Sequence, residues 1–301
     1  MNIRKIADLF VQTFFGWNER RAPVYAAAIA YSTLFSLAPL LIISMSLASL
    51  TFNAASFEAR LLDTIEQQAG QEVADLTREI LAARFHFRPS SGATLLSIGL
   101  LFFGASGVFR QLRGALNAMW HIAVRPSDMH HTLLTFVKSY TTSILAALLF
   151  GLTPIVLLFA STVVASLPRQ WVIDLYNIEW LVTIIQIFAS PVMFFVLFAI
   201  VLRYLPQAKA PWRAIAPGAL LSAIGYWIGG AILGYYIQNA AIRSIYGAAG
   251  SALALLIWAY YSAFIFLYGA KFVHSVAVAY NLPIVPHREA VFIHFDFDLE
   301  S

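Results

Sequence analysis

Cysteine is absent from the 301 residues. That excludes disulfides, thiolate metal sites and cysteine nucleophiles, and it leaves the redox compartment open. Charge is the second shortage. Asp, Glu, Lys and Arg make up 11% of the chain, against about 25% in soluble domains. So few charges do not cover a water-facing surface of this size. With 60% hydrophobic residues and a mean hydropathy of +0.75, the composition is that of an integral membrane protein.

Ionisable groups are also missing from the interior of every long apolar run, which argues against a pump built on a carboxylate relay. The seven histidines show no zinc-ligand spacing. His130 and His131 are adjacent and cannot both face one metal from a helix, and no HExxH is present. "FGASG" lacks the serine placement of GxSxG, and "GAAGSA" lacks the lysine of a phosphate loop. No nucleophile–base pair is visible. The reading is a protein that is not an enzyme and has no metal and no cofactor.

What is present is a set of six uncharged stretches, at about 24–52, 91–109, 140–165, 180–202, 214–237 and 246–270. Each meets the roughly 20 apolar residues that a spanning helix needs. The predicted fold is all-α, with six transmembrane helices. Lys and Arg are distributed unequally between the two sets of connections. Thirteen of the nineteen lie in 1–21, 110–138, 203–213 and the C-terminal segment, and six lie in the alternate loops. The positive-inside bias therefore puts both termini in the cytoplasm. The same bias accounts for the pI of 9.3 without nucleic-acid binding, because the basic residues form no continuous stripe on a soluble module.

The organisation expected is a cytoplasmic-surface helix over 1–21, a transmembrane domain over 22–271 and a tail over 272–301. Residues 1–21 do not read as a signal peptide, since Asp8, Gln12 and Asn18 interrupt them. Ile3, Ile6, Phe10, Phe14 and Trp17 recur at helical spacing. They fit either a helix lying on the membrane or one packed on the bundle. In the long loop 53–90, Phe57, Leu61, Leu62 and Ile65, then Val73, Leu76, Ile80 and Leu81, form two apolar faces divided at Gly70. Two short helices capping the extracytoplasmic end are expected there. The tail segment "VFIHFDFDLES" alternates with period two, as a pairing strand or a disordered tail.

Pro39, Pro154, Pro191 and Pro217 fall in four of the spans. Each removes an N–H donor and obstructs the carbonyl four residues earlier. Ser32, Thr33 and Ser36 are placed to compensate around Pro39. Ser32, Ser36, Pro39, Pro191 and Pro217 are candidates for a kink or a groove. Ala28, Ser32 and Ser36 share one face of the first span. Gly218, Ser222, Gly225 and Gly229 share one face of the fifth, and Gly247, Ser251 and Ala254 one face of the sixth. Such stripes let helix backbones approach closely in lipid, so the last two spans are expected to form a tight hairpin. Gln186 reads as an interhelical hydrogen-bonding group. Arg110, Arg113 and Arg203 leave spans at the cytoplasmic face, with Asn117 and Trp120 nearby. They are candidate contacts to a phosphorylated headgroup, or plain topological anchors.

The stretches "RAPVYAAAIAYSTLFSLAPLL", "FGASGVFRQLRGALNAMW", "RYLPQAKAPWRAIAPGAL" and "YGAAGSALALLIWAYYSAFIFLYGA" resemble the YihY/BrkB family of bacterial inner-membrane proteins. The resemblance covers about 21–271. It implies a six-helix plasma-membrane protein, with links to virulence, serum resistance and envelope lipid export. It also brings an older label, ribonuclease BN, which no residue here supports. The family often has an acidic residue after "GA" at the end of the sixth helix, where this chain has Lys271. Two functions are carried forward. One is transport or handover of an envelope lipid, with membrane lipids as partners. The other is a scaffold binding a protein partner through 53–90 or 283–301.

Overall fold

The computed structural model describes residues 3–48, 54–83, 107–124, 179–239, 249–287 and 290–292. The expected spans at 91–109 (but for its last three residues) and 140–165 lie outside these, as do Pro154, Gly247 and 293–301. The helices are α1 (Ile3–Glu19), α2 (Ala22–Ala48), α3 (Ala54–Ala69), α4 (Gln71–Ala83), α5 over 107–119, α6 (Glu179–Tyr204), α7 (Trp212–Asn239) and α8 (Gly250–Ala279). Four short strands complete the described chain: β1 (Ile122–Val124), β2 (Ala208–Lys209), β3 (Val285–Pro286) and β4 (Ala290–Phe292).

Among the described residues, two helices are long and apolar enough to cross a membrane, within Trp212–Leu233 and Gly250–Ala279. Ala22–Ala38 and Pro191–Tyr204 are shorter apolar helices. The backbone of α2 stays helical through Pro39. Thr33 donates its hydroxyl to the Ile29 carbonyl and Ser36 to that of Thr33. Both hydroxyls therefore serve carbonyls upstream of Phe35, the one Pro39 leaves without its helical donor.

α8 is the axis of the assembly, packing against α7, α2, α1 and α4. Glycines set its approach to α7. A Cβ added at Gly218 would lie 2.7 Å from the Gly269 carbonyl oxygen. One at Gly225 would lie 2.8 Å from Ile265, and one at Gly229 would overlap the Tyr261 hydroxyl. The seam is antiparallel, running from Gly218–Gly269 to Gly229–Tyr261. The small-residue stripe of α7 thus meets Tyr261, Ile265 and Gly269. Ala254, near the start of α8, belongs to a separate apolar cluster with Val73 and Leu255.

α3 and α4 are two amphipathic helices that meet at Gly70, whose φ of 90° is favourable only for glycine. Their apolar faces bury Phe57, Leu61 and Leu81 against Leu41 of α2. This places them at the end of the bundle where α8 begins.

The opposite end is stitched by backbone. β1 pairs antiparallel with β4, Ile122 opposite Phe292 and Val124 opposite Ala290. β2 pairs with β3, and His287 N–H donates to the Gln207 carbonyl at 2.9 Å. The first two residues of the alternating tail segment, Val291 and Phe292, therefore pair within their own chain. α1, α5 and α8 all terminate here in a residue with positive φ: Arg21 (54°), His121 (60°) and Asn281 (51°). At the end of α8, the N–H of Leu282 reaches the Ala277 carbonyl and that of Asn281 the Val278 carbonyl. This is a Schellman closure with asparagine at the left-handed position.

A candidate anion site at the membrane end of the bundle

α1 packs on α8 through one face. Leu9, Thr13 and Trp17, four residues apart, are buried. Trp17 meets Phe264 edge-on at 4.3 Å, and Thr13 donates to the Ser275 hydroxyl at 2.9 Å. Phe14 and Phe15 remain exposed, as do Tyr31 and Phe35 of α2. α1 is thus packed on the bundle through one face and leaves an apolar face exposed on the other.

The α1 C-terminus sets Arg20 beside the turn that ends α5. Arg20 Nη2 donates to His121 Nδ1 at 2.8 Å. The other ring nitrogen, Nε2, lies 2.9 Å from Lys271 Nζ. His274, one turn along α8 from Lys271, stacks on His121 with ring centres 4.7 Å apart and planes 9° from parallel. Four basic side chains from three segments thus converge. The left-handed turn at His121 and the bond from the Trp120 indole to the Ala270 carbonyl (2.9 Å) aim the imidazole at α8. Gly16 makes room for the lysine, since a Cβ there would lie 2.7 Å from Lys271 Cε. Burial, then the charges of Lys271 and Arg20, hold the His121 imidazole down at about 4, so it is neutral at physiological pH.

Lys271 is 5% exposed. At 1.5 Å per residue it lies about 30 Å along α8 from Gly250, close to one hydrocarbon thickness. The helix continues past it to Ala279, beyond the apolar run read to 270.

The residues singled out from sequence take different places. Trp120 is fully buried and supports the cluster through Ala270. Asn117 is buried and bonds Gln207 twice, donating to its side-chain oxygen at 2.7 Å and accepting from its backbone N–H at 2.9 Å. This pair ties α5 to the α6–β2 turn. Arg203 donates to the Ala210 carbonyl and lies 5.7 Å from the Trp212 ring centre, clamping the same turn. Arg113 is buried, and burial pulls its guanidinium below its ordinary value. Arg110 is exposed. Of the five, Trp120 reaches the surroundings of the four-base cluster through the Ala270 carbonyl, as a support. Ser36 is fully buried within the bundle and Pro191 half-buried in α6. Pro217 lies in the second turn of α7, just inside the helix N-terminus. Sequence reasoning missed Arg20, His121 and His274 as partners of Lys271. The one sequence signal was Lys271 itself, a charge where the resemblance leads one to expect the opposite sign.

A sequence profile of the family described as virulence factor BrkB matches residues 13–290. A UPF0761 membrane protein of Teredinibacter turnerae is 26% identical over 275 residues, covering 88% of this chain and 59% of the relative. The inner membrane protein YhjD of Escherichia coli is 28% identical over 275 residues, covering 85% and 77%. The putative ribonuclease-like protein YfkH of Bacillus subtilis is 26% identical over 252 residues, covering 82% and 86%. The chain spans somewhat over half the length of the UPF0761 relatives. No solved structure matches it.

Proposed function

The chain belongs to the virulence factor BrkB family of membrane proteins, and from that premise we propose that it holds and hands over an anionic envelope lipid in the bacterial inner membrane. The observation that carries this reading is the convergence of Arg20, His121, Lys271 and His274 at one end of an apolar bundle. Arginine and lysine are donors suited to phosphate oxygens, Arg by its planar fork and Lys as a point charge. The exposed apolar side chains of α1 and α2 beside the cluster offer acyl chains a surface to lie on. Six crossings with both termini inside put the cluster at the cytoplasmic interface, in line with the Lys/Arg bias between the loops.

The headgroup site is therefore assigned to the four-base cluster, with Trp120 as its support. The test is native mass spectrometry of the purified protein. Phospholipid adducts are expected on the wild type and on Arg110→Gln, and their loss on the double variant Arg20→Gln/Lys271→Gln. Equal retention by a folded double variant contradicts the assignment.

A further inference from the structure

The hydrogen bonds of the cluster limit where its protons sit. A guanidinium only donates and keeps its proton in proteins, so the contact from Arg20 makes His121 Nδ1 an acceptor. A neutral imidazole has one acceptor and one donor nitrogen. The ring hydrogen is therefore on Nε2, which faces Lys271 Nζ at 2.9 Å. An ammonium has no lone pair and would set hydrogen against hydrogen at this contact. The contact is a hydrogen bond only when Lys271 is a neutral amine accepting from Nε2–H. An imidazolium is no remedy, because both ring nitrogens would then face donors.

We propose that this site binds a phosphate monoester dianion together with one proton. In the empty site above pH 8, Lys271 is the amine partner of His121. When phosphate arrives, Nζ takes one proton from solvent and turns to a phosphate oxygen. No covalent bond of the ligand changes. The bound state sets Arg20 and Lys271 against the two negative charges of the monoester. A phosphodiester carries one negative charge fewer, so it draws a proton to Lys271 less strongly. This rests on the headgroup reading of the same cluster and adds its ligand class and its regulation.

Among the described residues, the charged and titratable groups facing Lys271 are Glu19 and Arg20 at the end of α1, His121 after α5 and His274 on its own helix. The buried positions that α2 and α7 contribute at this end, Ala22, Ala26, Gly218 and Ser222, do not titrate. Glu19 gives the recharged lysine a carboxylate neighbour. Arg20 opposes recharging until the anion is present.

The full chain in phosphatidylcholine nanodiscs is titrated calorimetrically at pH 9, in two buffers of different ionisation enthalpy. One arm receives inorganic phosphate, the second dihexanoyl phosphatidate, and the third dihexanoyl phosphatidylglycerol. The expected result is binding of phosphatidate with about one proton taken up per ligand, and a Kd that rises about tenfold per pH unit above pH 8. Phosphatidylglycerol is expected to bind more weakly and with less proton uptake. Lys271→Arg carries a permanent charge and is expected to keep binding while losing the pH slope. Should that variant fail to fold, the proton count on the wild type decides alone. Phosphatidate binding without proton uptake overturns the proton-linked proposal and leaves the headgroup reading standing. Inorganic phosphate binding as tightly as phosphatidate, with a proton, keeps the linkage and overturns the lipid source. No binding in any arm overturns both.

Discussion

Replacing Gly269 with alanine tests whether α7 and α8 approach as closely as their glycines permit. The new Cβ would lie 1.8 Å from Ser222 Oγ, 3.1 Å from Ser222 Cβ and 2.6 Å from the Gly218 carbonyl oxygen. The hydroxyl can rotate, at the cost of its 3.0 Å bond to the Gly218 carbonyl. The carbonyl oxygen is helix backbone and cannot. Restoring an ordinary 3.4 Å contact requires the helices to part by about 0.8 Å, the difference between 3.4 and 2.6 Å. A gap of that size forfeits about a quarter to a half of each dispersion contact across the seam. It also stretches the bond from the Tyr261 hydroxyl to the Gly225 carbonyl, now 2.9 Å. Overpacking of this kind costs about 1–3 kcal/mol, against a helix-propensity gain of about 1 kcal/mol for Gly→Ala. The net loss expected is about 0–2 kcal/mol. Gly230→Ala is the control, since nothing lies within 4 Å of a Cβ there, and no loss is expected. Reversible SDS unfolding in mixed micelles, followed by tryptophan fluorescence, measures both. Equal stability of the two variants refutes the close seam.

Gly16→Ala separates the site from the scaffold. Its Cβ meets only the flexible end of Lys271, so thermal stability should hold while the phosphatidate Kd rises several-fold by calorimetry. His121 gives a pH dependence of stability. Its folded pKa of about 4 lies below the ordinary 6.5, so the unfolded chain binds the extra proton between these values, and stability should fall as pH drops from about 6.5 to 4. His121→Asn, which tolerates the left-handed backbone, should flatten that decline in unfolding midpoints measured across the range. The purified chain should leave a fluorescent RNA substrate intact, and cleavage that survives repurification would contradict the non-enzymatic reading.

The helices of this fold were legible where local pattern decides the outcome. The two apolar runs of 57–81 became α3 and α4 because a glycine with positive φ divides them. The α7 stripe was visible because Gly218, Ser222, Gly225 and Gly229 fall on one face at helical spacing. Its partners on α8 were not visible, since Ile265 and Tyr261 are large and only the antiparallel register brings them to the glycines. The cluster was illegible for a related reason. Arg20, His121 and Lys271 are 101 and 150 residues apart in sequence. Each looks like an ordinary flanking charge or a lone histidine until the turns at Arg21 and His121 aim them together. Asn117 and Trp120 were noticed as polar groups near arginines. Their burial follows from the α5 face they occupy, which packs into the core with Leu116 and Met119.

The central claim is that a lipid phosphate is held where α1, the end of α5 and α8 meet. Its most direct test is photolabelling of the full chain in nanodiscs, using a phosphatidate that carries a diazirine beside the headgroup, with adducts mapped by peptide mass spectrometry. Labels are expected on peptides containing residues 16–20, 121 and 271–275, and their loss in Arg20→Gln/Lys271→Gln. Labels concentrated on α3 and α4, or unchanged by the double variant, would contradict it.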